Sequence, residues 1–234
     1  NHPGRENMTG WQEFALALGA FMLSHLLPRV GGLRGTLIRL LGRRAYFALY
    51  GLASLILLGW VISAAGRAPD IELWPQAPWT RWIPFVATPI AFVLAACGIG
   101  AGLPGSLGAS RRREYDPAHP GFAAITRHPV LLALTLWALA HLPPNGDLSH
   151  VVLFGLFATF SLLAMPAFDR RALRTIGPGA FAAAPILSLR PVFDHAWWQE
   201  NTRTVMLRGA VGVLLWCVAL HLHASAIGAW PFPG

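Results

Sequence analysis

The sequence predicts an all-α fold: an integral membrane bundle of six transmembrane helices, with the N- and C-termini outside, on the periplasmic face. Three observations carry this reading. The 234-residue chain is 55% hydrophobic and only 12% charged, against about 25% charge in an ordinary soluble domain, and its mean hydropathy is +0.50. The apolar residues come in long runs without a two-residue alternation, which suits helices and not a barrel. The cations are unevenly spread between alternate loops, as membrane insertion requires.

Six runs qualify in order: Trp11–Leu27, Ala45–Ala65, Trp82–Ala101, Pro129–Leu142, His150–Pro166 and Val205–Ile227. Several fall short of the about 20 residues of a straight crossing. The fourth is the shortest, unless Ala123–His128 also enters the membrane. The first, third and fifth loops, counted with Arg203 and Arg208, hold fifteen arginines. The N-terminus, the second and fourth loops and the C-terminus hold three: Arg5, Arg67 and Arg81. The positive-inside rule then puts the odd loops in the cytoplasm. Trp11, Trp74, Trp79, Trp82 and Trp230 fall at the predicted outer boundary, where amphipathic rings settle. Residues 1–8 read as an N-terminal extension outside the fold, residues 9–234 as one domain, and the first span as its own insertion signal. In the polar stretch Asp169–Thr204, a short interfacial helix is expected around Val192–Gln199, anchored by Trp197 and Trp198.

The charge excludes one class and leaves another. Net charge is +8, and all eighteen basic residues are arginine. Scattered over loops between apolar runs, they fit contact with membrane lipid and no nucleic acid. Cys97 and Cys217 both sit in apolar runs, outside any C-x-x-C, and read as small hydrophobes. No H-E-x-x-H, serine elbow or phosphate-binding glycine loop occurs.

Imidazoles are the notable groups in and at the rims of the spans: His25, His128, His141, His150, His221 and His223, with Glu13 the one carboxylate inside a span. Intramembrane ionisable groups are costly and point to function. Hydrolytic zinc sites recruit a carboxylate as ligand or base. Histidines without carboxylates or thiolates suit haem iron better. In "ITRHPVLLALTLWALAH", His128 and His141 are thirteen residues apart, about 220° round a helix and about 20 Å along it, so one metal cannot take both. His221 and His223 also face different ways. A bis-histidine site therefore joins different helices. Depth pairs His25 with His128 near the inner ends, and His141 with His221 near the outer ends. A rim histidine bonded only to backbone or headgroups is the plainer reading of each, and the one adopted for His150 and His223. Arg127 reads either as an interfacial anchor or as a guanidinium for a haem propionate or other anion. Asp169 reads either as part of a stop signal with a local ion pair or as a carboxylate holding an arginine in a polar entrance.

Several stretches together carry a resemblance. They are "FMLSHLLPRVGGLRG", "LLGRRAYFALYGLASL", "ITRHPVLLALTLWALAHLPPNGD", "DRRALRTIGPGAF" and "LHLHASAIGAWPF". The most specific is R-H-P followed by W-x-x-x-H and then N-G-D. Over Met8–Gly234 the chain resembles the NnrU family, which is related to the 15-cis-ζ-carotene isomerases. A weaker likeness to isoprenylcysteine-type methyltransferases lies in R-H-P and a distal acidic-Arg-Gly pattern, without the paired glutamates of those enzymes.

The isomerase branch is similar to a haem b membrane enzyme whose proposed axial ligands correspond here to His25 and His141. The resemblance thus implies haem b as cofactor and those two histidines as metal ligands; the depth pairing keeps His128 as the alternate, and Arg127 is read from its guanidinium as a group beside the cofactor. The isomerase's cysteine before the second ligand is Ala138 here, and its fifth-span histidine pair is replaced by "FSLLAM". The NnrU branch resembles accessory membrane proteins of nitrite and nitric oxide reduction. The expectation is a multi-pass protein of the bacterial cytoplasmic (inner) membrane that binds haem b. Its chemistry would be redox or cis–trans isomerase-like, tied to nitrogen-oxide metabolism. A hydrophobic polyene substrate or a membrane redox partner would follow. The rival expectations are an isomerase proper, a non-enzymatic assembly subunit and a methyltransferase.

Overall fold

A computed structural model describes residues 3–29, 31–110 and 113–233. Residues 1 and 2 of the expected N-terminal extension, and Arg111 and Arg112 of the third loop, lie outside the described residues. The described chain is helical: α1 Pro3–Leu26, α2 Leu33–Leu41, α3 Arg43–Arg67, α4 Trp82–Gly98, α5 Pro129–His141, α6 Leu148–Thr175 and α7 His195–Ile227, with short 3₁₀ turns between. A lone antiparallel bridge joins Glu72 to Asp147.

Among the described residues, four segments are long and apolar enough to cross a membrane: Arg43–Arg67, Pro78–Gly98, Leu148–Thr175 and His195–Ile227. Large apolar side chains stand exposed along them, among them Leu55, Ile56, Leu163, Leu207 and Leu214. Acyl chains cover such a surface at no cost, whereas water does not. The chain is therefore a membrane protein. Of the other two expected spans, α1 is long enough, but Glu6, Asn7, Gln12 and Glu13 make its first half polar. The thirteen residues of α5 reach only about 20 Å at 1.5 Å each.

Three boundaries differ from the sequence reading. α6 runs through Pro166 to Thr175, because a membrane helix tolerates the lost N–H when neighbours re-satisfy the backbone. The expected interfacial helix around Val192–Gln199 is not separate. Arg190–Phe193 forms a 3₁₀ turn, and α7 begins at His195, where the Asp194 carboxylate accepts from Ala196 N. α2 occupies what reads as a loop.

The chain divides into two compact units. The first comprises Asn1–Pro75 with Gly146–Leu153. In it α1 packs against α3, and Phe14 and Ala17 of α1 and Val61, Ala64 and Ala65 of α3 are buried. The approach is close at Gly10, where an added Cβ would lie 2.8 Å from Arg67 O. At that end Glu13 accepts from Trp60 Nε1 at 3.1 Å and Arg67 Nη2 at 2.6 Å, so the one carboxylate inside a predicted span has cationic and indole partners. Residues 71–73 pair with 146–148, and Ser149 Oγ lies 2.8 Å from Ala65 O.

The second unit comprises Gln76–Asn145 with Phe154–Gly234. Here α4 is central, with α5 and α7 both packed on it. Small residues permit the contact, as in many membrane bundles: a Cβ on Gly98 would collide with Pro129, and one on Gly212 would lie 2.8 Å from Val93 Cα. Arg208 of α7 donates to the carbonyls of Ala96, Cys97 and Ile99, capping the otherwise orphaned end of α4. Trp216 Nε1 donates to Thr88 Oγ1 at 3.0 Å. Thr135 of α5 and Ser161 of α6 share a buried hydroxyl pair at 2.7 Å.

Candidate functional site

The second unit holds a buried polar centre at the start of α5. It begins with a local rule: Pro129 fixes the first helical φ and needs no N–H partner, so the helix starts there and His128 stands at its N-cap. Residues 125–128 are drawn against 184–188. Arg127 N donates to Pro185 O at 3.0 Å, Thr126 Oγ1 to Ile186 O at 2.6 Å and Ser188 N to Ile125 O at 2.7 Å. Fixing this strip aims the side chains of Arg127 and His128 at α6.

There they meet Asp169. Arg127 grips its carboxylate with two parallel bonds, Nε to Oδ1 at 2.9 Å and Nη2 to Oδ2 at 2.7 Å. Such a fork is the strong form of an ion pair. Nη1 donates to Ala184 O, and the guanidinium lies 4.3 Å from the centre of the Phe181 ring. His128 Nε2 donates to Asp169 Oδ1 at 2.8 Å, while its Nδ1 lies 2.8 Å from Ser106 Oγ. A neutral imidazole donating to the carboxylate and accepting from the serine satisfies both contacts. The side chains of Arg127, Asp169 and His128 are 12%, 17% and 1% exposed, so the pair is held largely away from solvent. Of the two sequence readings of Asp169, the carboxylate that holds an arginine describes the geometry, and the arginine is 42 positions away. Both ring nitrogens of His128 and all three guanidinium nitrogens of Arg127 are engaged within this cluster.

The other candidate histidines have different surroundings. In the first unit, His25 Nδ1 donates to Phe21 O, one helical turn back, at 2.8 Å; its ring lies against Phe21 and Tyr50. In the second unit, His141 Nδ1 donates to Trp137 O, again one turn back, at 2.7 Å. Its ring stacks on Phe154 at 5.0 Å and contacts Trp137. A carbonyl can only accept, so Nδ1 carries the proton in each ring, and in the neutral imidazole the lone pair sits on Nε2. A ligating histidine needs that arrangement: one nitrogen donating to a carbonyl, the other presented to the metal.

His150 bonds Asp147 at 2.6 Å, and His223 Nδ1 donates to Ala229 O at 2.8 Å, so both find ordinary polar partners. His221 lines a cavity of about 410 Å³ with Cys217, Trp230 and Phe232. Among the described residues, no group of three or more His, Cys, Asp and Glu side chains could hold a metal ion. Haem iron asks less of the protein than such a cage, since the porphyrin supplies four nitrogens. The donor chemistry of His25 and of His141 fits it, each within its own unit.

Ser106 and Phe181 had no sequence signal as partners of this centre. Both lie in irregular chain, Phe181 far in sequence from the Arg127 it faces and Ser106 separated by 22 positions from the His128 it bonds. Asp169 had one: it is the single carboxylate in α6.

Comparison with curated proteins yields no match, and comparison with solved structures likewise yields none. A family comparison does: the family described as NnrU protein matches residues 13–231. That range takes in α3 to α7 whole and all but the first turns of α1, and with them both halves of the polar centre and both candidate histidines. The chain belongs to the NnrU family.

Proposed function

We propose that this NnrU protein is a haem b-binding protein of the bacterial cytoplasmic membrane. It crosses that membrane six times with both termini outside, and uses His25 and His141 as candidate iron ligands through Nε2. The observation that supports the reading is the shared tautomer: each ring donates Nδ1–H to the carbonyl four residues back. Bound haem supplies an iron that changes oxidation state or withdraws electron density from a double bond. The protein's part is to hold the imidazoles oriented, with Phe21 and Tyr50 beside one and Trp137 and Phe154 beside the other. Arg127, His128 and Asp169 act as a structural lock between the start of α5 and α6, and not as cofactor ligands. Redox or cis–trans isomerase-like chemistry within nitrogen-oxide metabolism is the role in keeping with the family resemblance, with a membrane redox partner or an apolar polyene as the other reactant.

The test is an absorption spectrum of the detergent-purified protein made with haem supplied. A Soret band is expected, lost or shifted in His25→Ala and in His141→Ala and retained in His128→Gln. A colourless wild-type protein, correctly folded, overturns the proposal.

A second reading, a non-enzymatic assembly subunit, is favoured by the same lock, because a fully paired ion cluster positions helices without needing chemistry. It predicts no cofactor and loss of a membrane complex when the basic loops are neutralised.

A further inference from the structure

Between α1 and α3 lies a helix that neither the span pattern nor the haem reading uses. α2, Leu33–Leu41, has the sequence LRGTLIRLL. Gly32 at its start has φ 73° and Gly42 at its end φ 76°, left-handed values that glycine adopts without strain. Helical continuity is broken on both sides, so α2 is a rod separate from α1 and α3. Nine residues span only about 14 Å, too short to cross a bilayer.

Its faces are unlike. At 100° per residue, Leu33, Leu37, Leu40 and Leu41 fall within about 100° of arc, while Gly35, Thr36 and Arg39 fall on the other side. None of its residues is buried, and Leu40 is 76% exposed. Protein therefore leaves most of the apolar face uncovered: Leu33, Leu40 and Leu41 are exposed and Leu37 is half-buried. Charge identifies what covers it. Arg29, Arg34, Arg39, Arg43 and Arg44 lie in or beside α2, and no carboxylate occurs from Phe14 to Pro69. Arg34 and Arg43 lie over the Phe47 ring at 5.3 and 5.6 Å. Arg39 Nη2 donates to Thr36 Oγ1 on the polar side. None of Arg34, Arg39, Arg43 and Arg44 has an ion-pair partner among the described residues.

We propose that α2 is an interfacial helix that seats its leucine face in the headgroup–acyl boundary and binds the phosphates of anionic phospholipid through Arg34 and Arg39. A short helix with leucines on one side, Arg34 at the margin of that face and Arg39 on the polar side, tethered beside a membrane-crossing helix, has the chemistry of such a surface. The inference rests on the membrane reading alone and is independent of haem.

Two measurements on the full chain decide it. Native mass spectrometry of purified protein given equimolar phosphatidylglycerol and phosphatidylcholine is expected to show preferential retention of phosphatidylglycerol. Arg34→Gln with Arg39→Gln should lower that preference by about tenfold. An unchanged preference, or displacement of phosphatidylglycerol by millimolar inorganic phosphate, overturns it; the latter would mark a free-anion site. In vesicles, a spin label on Leu40→Cys, in a Cys217→Ser background with Cys97 buried, should be relaxed more by oxygen than by a water-soluble nickel complex. Stronger relaxation by nickel places the face in water. Protection from both places it under protein. Either result ends the proposal.

Discussion

Asp169 is one carboxyl group with two buried dependants. Removing it leaves the Arg127 guanidinium, 12% exposed, with an uncompensated charge, and strips Nε2 of His128 of its acceptor. Losing one partner of a buried pair costs about 3–5 kcal/mol. Asp169→Ala should therefore lower the melting temperature in detergent markedly. Asp169→Asn, which keeps an acceptor and the shape, should fall between it and wild type. Equal melting of all three would show that the centre contributes nothing to folding. Asp147 makes a prediction about pH. Burial alone would raise its carboxyl pKa, but hydrogen bonds from Ser149 Oγ and His150 outweigh that and hold it below the ordinary range. A carboxylate depressed in the folded state stabilises fully above its unfolded value, about 3.9. That contribution is lost as pH falls from there through the folded value. Melting temperature measured from pH 6 downward should drop in this acid window, and Asp147→Asn should show a shallower drop. Parallel curves would refute the assignment. The sequence marked Asp169 and Arg127 as unusual but not as mates, because pairing across 42 positions is a property of the chain's path.

Helices pack here by the absence of side chains as much as by their presence. Gly212 of α7 faces α4 so closely that a Cβ would lie 2.8 Å from Val93 Cα and 2.9 Å from Phe92 O. Both are backbone atoms that cannot rotate away. Gly212→Ala is expected to force α4 and α7 apart at a cost of about 1–3 kcal/mol. Three residues earlier, Gly209 has nothing within 4 Å of the same added atom, so Gly209→Ala should be neutral or stabilise α7 by up to about 1 kcal/mol. Thermal melts of the two variants in one detergent test the contrast, and indistinguishable curves would refute it. Apolar runs located most of the helices, since length and hydropathy are local properties. They misplaced the start of α7 and the end of α6. Asp194 caps α7 ahead of the apolar stretch, and Pro166 is absorbed within α6, and neither feature changes the hydropathy on which the reading rested. α2 escaped because nine residues with three polar side chains and a glycine look like a loop.

At the scale of the molecule, the proposed crossing pattern puts the second loop, near Asp70, and the third loop, near Arg113, on opposite sides of the membrane, because α4 and its 3₁₀ start separate them. Single cysteines at these two positions, in a Cys217→Ser background, should react with an impermeant maleimide from opposite faces of the vesicle. Labelling from one face would remove α4 as a span and with it the six-crossing arrangement. Sequence alone determined that this is a helical membrane protein of the NnrU family, and which imidazoles lie in or beside apolar helices. Composition, run length and a collinear motif need no knowledge of the fold. Only the tertiary structure decided what those groups do locally. Adjacent residues His128 and Arg127 turn to one carboxylate on another helix. His25 and His141 turn Nδ1 to their own backbones, which sets where the remaining lone pair lies. The physical reason is range: hydropathy is summed along the chain, whereas hydrogen bonds and ion pairs are made across about 3 Å of space between residues whose proximity no linear pattern encodes.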